Sequence, residues 1–252
     1  EDGIRDTRIG LVGSEMCIRD RFPDCPVMLH KPEMILIDVD GTLVDSVPDL
    51  SYCVDTMMTQ LGRAPWGDTR VRDWVGNGVE RLVKRALLGA LEGEPEPADY
   101  ACAYPLFMEL YAENTSKRSV LYPGVREGLD LLKGAGYRLG CVTNKAAQFT
   151  EPLLHDLGVA DDFSIIISGD TLPKKKPDPA PLLHGAAFFG CEPGAALMVG
   201  DSVSDVKAAR AAGFQIVCMS YGYNHGDDIR DAHPDAVIDV LTEIMPLLDT
   251  AL

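Results

Sequence analysis

The sequence predicts an α/β protein: a Rossmann-like three-layer core around a parallel sheet, with an all-α segment inserted after the first strand. Three observations predict it. A short apolar run, Met34-Ile35-Leu36-Ile37, ends abruptly on Asp38-Val39-Asp40-Gly41. Residues 46–118 then carry helical periodicity and no strand signal. From Tyr122-Pro123-Gly124 onward, apolar runs alternate with helical patterns, as in strands joined by crossover helices. Such a sheet is covered on both faces, so its strands read as continuous apolar runs.

The elements follow in order. Glu1 to Arg21 mix charged and small residues without a period, and Pro23, Pro26 and Pro32 interrupt any element. The stretch from Gly10 to Arg21 resembles translated adapter sequence more than a natural leader, and residues 1–33 lack the apolar stretch of a signal peptide. Residues 1–32 are therefore expected to be a non-native or disordered arm. Met34–Ile37 reads as a buried strand. It stops at Asp38 because an unpaired buried carboxylate is costly, and Gly41 lets the chain turn. Pro48 suits a first helical turn, and Val47, Leu50, Val54, Met57, Met58 and Leu61 follow at helical spacing up to Gly62. Trp74-Val75-Gly76-Asn77-Gly78 reads as a turn. Helical faces resume at Val79, Leu82, Val83 and Ala86, and again at Tyr104, Phe107, Met108 and Tyr111. The alternation after Gly124 gives strands over Tyr137–Val142, Phe163–Ile167, Ala195–Val199 and Phe214–Cys218. Helices around Leu129, Leu153, Pro179–Phe189 and Val203–Ala212 connect them. The division expected is an α/β core over 33–45 and 119–252, with a helical unit over 46–118.

Composition narrows the function. The formal net charge is −16, which disfavours a nucleic-acid partner, since backbone binding starts from a basic footprint, and an anionic membrane surface. Seven cysteines, at 17, 25, 53, 102, 141, 191 and 218, are odd in number and form no Cys-x-x-Cys pair. That argues against a disulfide framework or a zinc site and for a reducing cytoplasm. No apolar run approaches the roughly 20 residues of a membrane-spanning helix.

Sites in doubly wound sheets lie beyond the carboxyl ends of the strands. There the sequence places Asp38 and Asp40, Thr143-Asn144, Lys176-Pro177, and Gly200-Asp201-Ser202 with Asp205 one turn on. Carboxylates, a hydroxyl and a lysine so placed suit phosphoryl chemistry. Carboxylates hold a hard cation such as Mg²⁺, and cation and lysine together neutralise phosphate oxygens.

Taken in order, Asp38-Val39-Asp40-Gly41-Thr42, Val142-Thr143-Asn144, Lys176-Pro177 and Gly200-Asp201-Ser202 with Asp205 resemble the four motifs of the haloacid dehalogenase-like hydrolase superfamily. The resemblance covers about residues 33–245. Trp74–Gly78, Gly169–Pro173 and Tyr221–His225 are similar to segments of that superfamily's bacterial phosphoglycolate phosphatases. The resemblance implies a strand order of 5-4-1-2-3 and makes residues 46–118 a cap. It implies Asp38 as nucleophile, Asp40 as general acid and base, and Thr143 and Lys176 as binders of the phosphoryl group. Asp38, Asp201 and the Asp40 carbonyl would hold Mg²⁺, supported by Asp205 and Ser202. Val39, Gly41, Thr42 and Asn144 would line the phosphate, with Asn77 and Gly78 of the cap turn as further substrate contacts. A carboxylate at position 40 favours ester hydrolysis over halide displacement, because a leaving alkoxide must be protonated.

The expectation is a Mg²⁺-dependent phosphatase of a small anionic phosphate ester, foremost 2-phosphoglycolate, acting through an aspartyl-phosphate. Alternatives are another small phosphate, such as a sugar phosphate or pyrophosphate, a phosphosugar mutase, and a phospho-aspartate signalling module without turnover. The histidines, Arg81 and Lys84 are expected on the surface. Oligomeric state is not legible in the sequence.

Overall fold

The structure is a computed structural model that describes residues 29–249. The expected arm therefore falls, up to Met28, outside the described residues. Residues 29–32 are docked: Leu29 is buried in the core, and the His30 N–H donates to the Gln215 side chain, which donates back to the His30 carbonyl.

Six parallel strands form the central sheet. β1 (Met34–Ile37) lies between β4 (Arg138–Val142) and β6 (Ala196–Gly200); β5 (Ile166–Ile167) flanks β4, and β7 (Gln215–Met219) and β8 (Ala236–Ile238) follow β6. Counted as core strands the order is 6-5-4-1-2-3. The five expected strands keep their expected order, and β8 adds an unexpected sixth at one edge. β5 is shorter than Phe163–Ile167. Its preceding residues still bond β4, through Ser164 N–H to the Leu139 carbonyl and Cys141 N–H to the Ile165 carbonyl, but as an irregular edge.

The apolar run of β1 is continuous because both faces are covered. Ile35 and Ile37 pack with Val125, Leu129 and Leu132 of α5 (Val125–Gly134) and with Leu241 and Ile244 near the C-terminal α9 (Ile244–Asp249). Met34 and Leu36 face the other layer, with Leu182 and Ala186 of α7 (Ala180–Phe189) and Val206 and Ala209 of α8 (Val203–Ala212). Successive side chains alternate faces in a strand, so four residues serve two cores. Ile37 pairs with Cys141 on one side and Val199 on the other. The three strands therefore end almost level, which sets Asp38, Thr143 and Asp201 side by side.

Between β2 (Val44–Asp45) and β3 (Val120–Leu121), the chain is helical: α1 (Val47–Gln60), α2 (Asp68–Arg72), α3 (Val79–Leu88) and α4 (Pro97–Glu113). α2 and the β2–β3 pair, in which Val44 faces Leu121 and Asp45 faces Val120, were not expected. The helices have their own buried cluster, including Val54, Met57, Trp74, Val83, Phe107 and Tyr111. It meets the core at Phe149 of α6 (Ala147–Asp156) and at Tyr223. Asp49 is fully buried and accepts the N–H groups of Arg118 and Ser119 and the Ser119 hydroxyl, so the first helix is tied to the returning chain.

Candidate active site

A cavity of about 240 Å³ lies between the strand ends and the helical insertion. Asp38 follows β1, its N–H still bonded to the Val199 carbonyl at 2.9 Å. Its Oδ1 accepts the Val39 N–H at 2.8 Å and lies 2.9 Å from Lys176 Nζ. Lys176 Nζ also meets Asp205 Oδ1 at 2.8 Å and the Val142 carbonyl at 2.9 Å. The other Asp205 oxygen accepts the N–H of Ser202 and its hydroxyl, a reach back from the third position of α8 that caps the helix and fixes the carboxylate together. Asp201 accepts the Thr42 hydroxyl at 2.8 Å and the Tyr223 N–H at 2.6 Å.

Asp38, Asp201 and Asp205 are all buried, and each offers an oxygen within 4.8 Å of the others. Glycines make this approach possible. A Cβ at Gly200 would lie 2.5 Å from Asp205 Cβ, and at Gly41 or Gly222 it would collide with the Asp201 carboxylate. Three carboxylates against one ammonium leave excess negative charge. Burial pushes the Asp38 carboxyl up to about 7, with Lys176 opposing and Asp205 adding to the rise. Burial, then the charges of Asp205 and Asp38, raise Asp201 well above the ordinary range. Burial alone would lower the Lys176 ammonium, but Asp205 and Asp38 outweigh it and its pKa is raised. An all-oxygen, over-negative cluster of this kind is matched by a hard divalent cation.

The expected residues divide by what they touch. Asp38, Lys176, Asp201, Asp205 and Ser202 form one connected set. The Asp40 carboxylate lies apart from the acidic cluster, held by Lys145 Nζ at 2.9 and 3.0 Å. Thr143 lines the cavity, its Oγ1 accepting the Lys145 N–H. The Asn144 amide donates to the Lys176 carbonyl, fixing the loop that carries the lysine. The Val39 N–H and the Thr42 hydroxyl, expected on phosphate, serve Asp38 and Asp201. Gly41 has φ +86° and shapes the turn. Gly78 lines the cavity. So does Asn77, but its Oδ1 accepts from Arg85 at 3.2 Å.

Three residues were missed or misread. Lys145 is buried, with its ammonium on Asp40; the adjacent Thr143-Asn144 was the only local signal. Arg85 is buried and donates to the carbonyls of Trp74, Gly76 and Leu91, pinning the turn that roofs the cavity. Its place on the same helical face as Leu82 and Ala86 was the available clue. His225, expected on the surface, lines the cavity and bonds the Asp73 carbonyl through Nδ1 at 2.8 Å. Arg81 and Lys84 are paired with Glu92, Glu94 and Glu80, Lys84 being mostly covered.

A family model of haloacid dehalogenase-like hydrolases matches residues 32–213. The chain belongs to this family of hydrolases. It is 70% identical to a phosphoglycolate phosphatase of Nitrosococcus oceani over 224 residues, 89% of this chain and all of that one. It is 46% identical to a phosphoglycolate phosphatase of Nitrosospira multiformis, over 87% of this chain and 98% of the other. The crystal structure of a predicted phosphoglycolate phosphatase from Haemophilus somnus 129PT superposes with a TM-score of 0.81 at 35% identity, covering 86% of this chain and 98% of that one. No described helix of this hydrolase is long and apolar enough to cross a membrane.

Proposed function

We propose that this hydrolase is a cytoplasmic, Mg²⁺-dependent phosphatase that converts 2-phosphoglycolate to glycolate and phosphate. The observation that carries the reading is one cavity holding two differently supported acids: Asp38 in the over-negative cluster and Asp40 set apart on its own lysine. The phosphoglycolate phosphatases it resembles supply the substrate. In this reading a carboxylate oxygen of Asp38 attacks phosphorus while the ester P–O bond breaks, and Asp40 gives its proton to the leaving oxygen. Asp40 then takes a proton from water as that water attacks the aspartyl-phosphate, which returns Asp38 and frees phosphate. Lys176 holds Asp38 in place and, with Thr143, faces the phosphoryl oxygens. Asp38, Asp201 and the Asp40 main-chain carbonyl would hold Mg²⁺, with Asp205 behind them. When bound it supplies positive charge to the phosphate oxygens. Residues 46–118 act as a cap that keeps bulk water from the cavity.

The test is phosphate release from 2-phosphoglycolate with Mg²⁺ by the full chain and by Asp38→Asn. The substitution should abolish turnover while the protein stays folded. A variant as active as the parent removes Asp38 as nucleophile.

A further inference from the structure

Lys145 is a buried charge to which the chemistry above gives Asp40 as a partner but no contact with substrate. Its side chain is 2% exposed, yet it stands on the cavity wall. It rises from the end of β4, and its Nζ lies 5.1 Å from the centre of the Tyr111 ring on α4. The ammonium therefore sits where the sheet and the helical insertion meet. Lysine has three N–H donors; the Asp40 oxygens take two of them, and the third can turn toward the Tyr111 hydroxyl or toward the cavity.

The two buried lysines flank different parts of a bound ester. Lys176 touches Asp38 and Asp205, the side on which phosphorus is attacked. Lys145 touches Asp40, which as general acid must come within about 2.6–3.2 Å of the leaving oxygen. An ammonium 2.9 Å from that same carboxylate lies beside the leaving group, not the phosphoryl group. In 2-phosphoglycolate a single carbon separates the ester oxygen from a carboxylate, whose oxygens fall about 2.6–3.6 Å from it at ordinary bond lengths. We propose that Lys145 is a specificity residue that pairs with this carboxylate. The substrate class is then phosphate monoesters bearing a carboxylate one carbon from the ester oxygen. The proposal rests on the phosphatase reading above and adds to it the group that reads the tail. An uncharged tail would offer this desolvated ammonium no second carboxylate, the kind of mismatch by which polar sites discriminate.

The experiment compares 2-phosphoglycolate with ethyl phosphate, which carries a methyl group where the carboxylate stands. kcat/KM is measured for both on the parent and on Lys145→Met, with melting temperatures to confirm folding. The parent should prefer 2-phosphoglycolate. Lys145→Met should lose about 100-fold on 2-phosphoglycolate, mostly in KM, and no more than about tenfold on ethyl phosphate, so that the preference collapses. Inhibition by glycolate needs no turnover and should weaken in parallel; it can also be read on Lys145→Gln, which removes the charge but keeps a donor, if the methionine variant does not fold. Equal losses on both substrates, or glycolate inhibition unchanged, overturn the assignment of Lys145 while leaving the phosphatase reading intact. A parent that turns over ethyl phosphate as well as 2-phosphoglycolate removes the carboxylate substrate and this proposal with it. A parent with no phosphatase activity on either ester removes the underlying reading.

Discussion

On the sheet side of the cavity, charge is held by charge: Lys176 stands between Asp38 and Asp205 within 2.9 Å of each. On the helical side, Arg85 is just as buried but its hydrogen bonds go to carbonyls and to the Asn77 amide oxygen. The first arrangement is stiff and electrostatically tense. It concentrates negative charge that, in the proposed reaction, a cation and a phosphate group would rebalance. The second carries no such tension and serves to hold a turn in which Gly76, Asn77 and Gly78 all have positive φ. On the function proposed above this is a division of labour: the strand ends carry the reactive groups, and the insertion carries shape.

Removing one side's keystone should be far more damaging than removing the other's. Lys176→Met strands two buried carboxylates, and losing one partner of a buried ion pair costs about 3–5 kcal/mol. Melting should fall sharply and turnover should disappear. Gly200→Ala puts a methyl group on Asp205; overpacking costs about 1–3 kcal/mol, and the Mg²⁺ concentration for half-maximal activity should rise. Arg85→Ala leaves buried carbonyls unpaired at a cost of about 1–3 kcal/mol, but here KM should rise more than kcat falls, because the turn and not the reacting atoms is disturbed. If Arg85→Ala lowers kcat at unchanged KM, the division of labour is wrong. Arg81→Ala removes pairs with Glu92 and Glu94 whose acidic partners are well exposed; it should cost under about 1 kcal/mol and leave activity unchanged.

The tension on the sheet side has a pH signature. Burial raises the Asp38 carboxyl to about 7 from an ordinary value of 3.8. Between those values the folded protein binds a proton that the unfolded chain does not, so this group destabilises the metal-free fold increasingly as pH rises toward 7 and fully above it. Added Mg²⁺ should therefore raise the melting temperature more at pH 8 than at pH 6, where protons compete for the same oxygens. A shift independent of pH would show that the cation does not bind at Asp38.

The sheet and the strand-end acids were legible because apolar runs stop on residues that cannot stay unpaired inside, as at Ile37-Asp38 and Gly200-Asp201. The parallel order followed from that alternation and from family resemblance. β8 was not legible: three residues after His233-Pro234 have no period to detect. β2 and β3 are two residues each and exist only because they pair with one another. Lys145 was hidden for a different reason. Its partners, Asp40 and Tyr111, lie 105 and 34 positions away along the chain, and beyond its place next to Thr143-Asn144 nothing local distinguishes a buried lysine from a solvated one. Arg85 was hidden likewise, since its partners are main-chain carbonyls that no residue type announces.

The short ribbon of Val44-Asp45 against Val120-Leu121 brings the departure and return points of a long excursion into neighbouring positions. A stretch tethered this way can be exchanged as a cassette, because the gap to be bridged stays the same whatever is spliced in. The shape above the cavity can then be changed by swapping the excursion alone while the strand-end carboxylates and Lys145 keep their places.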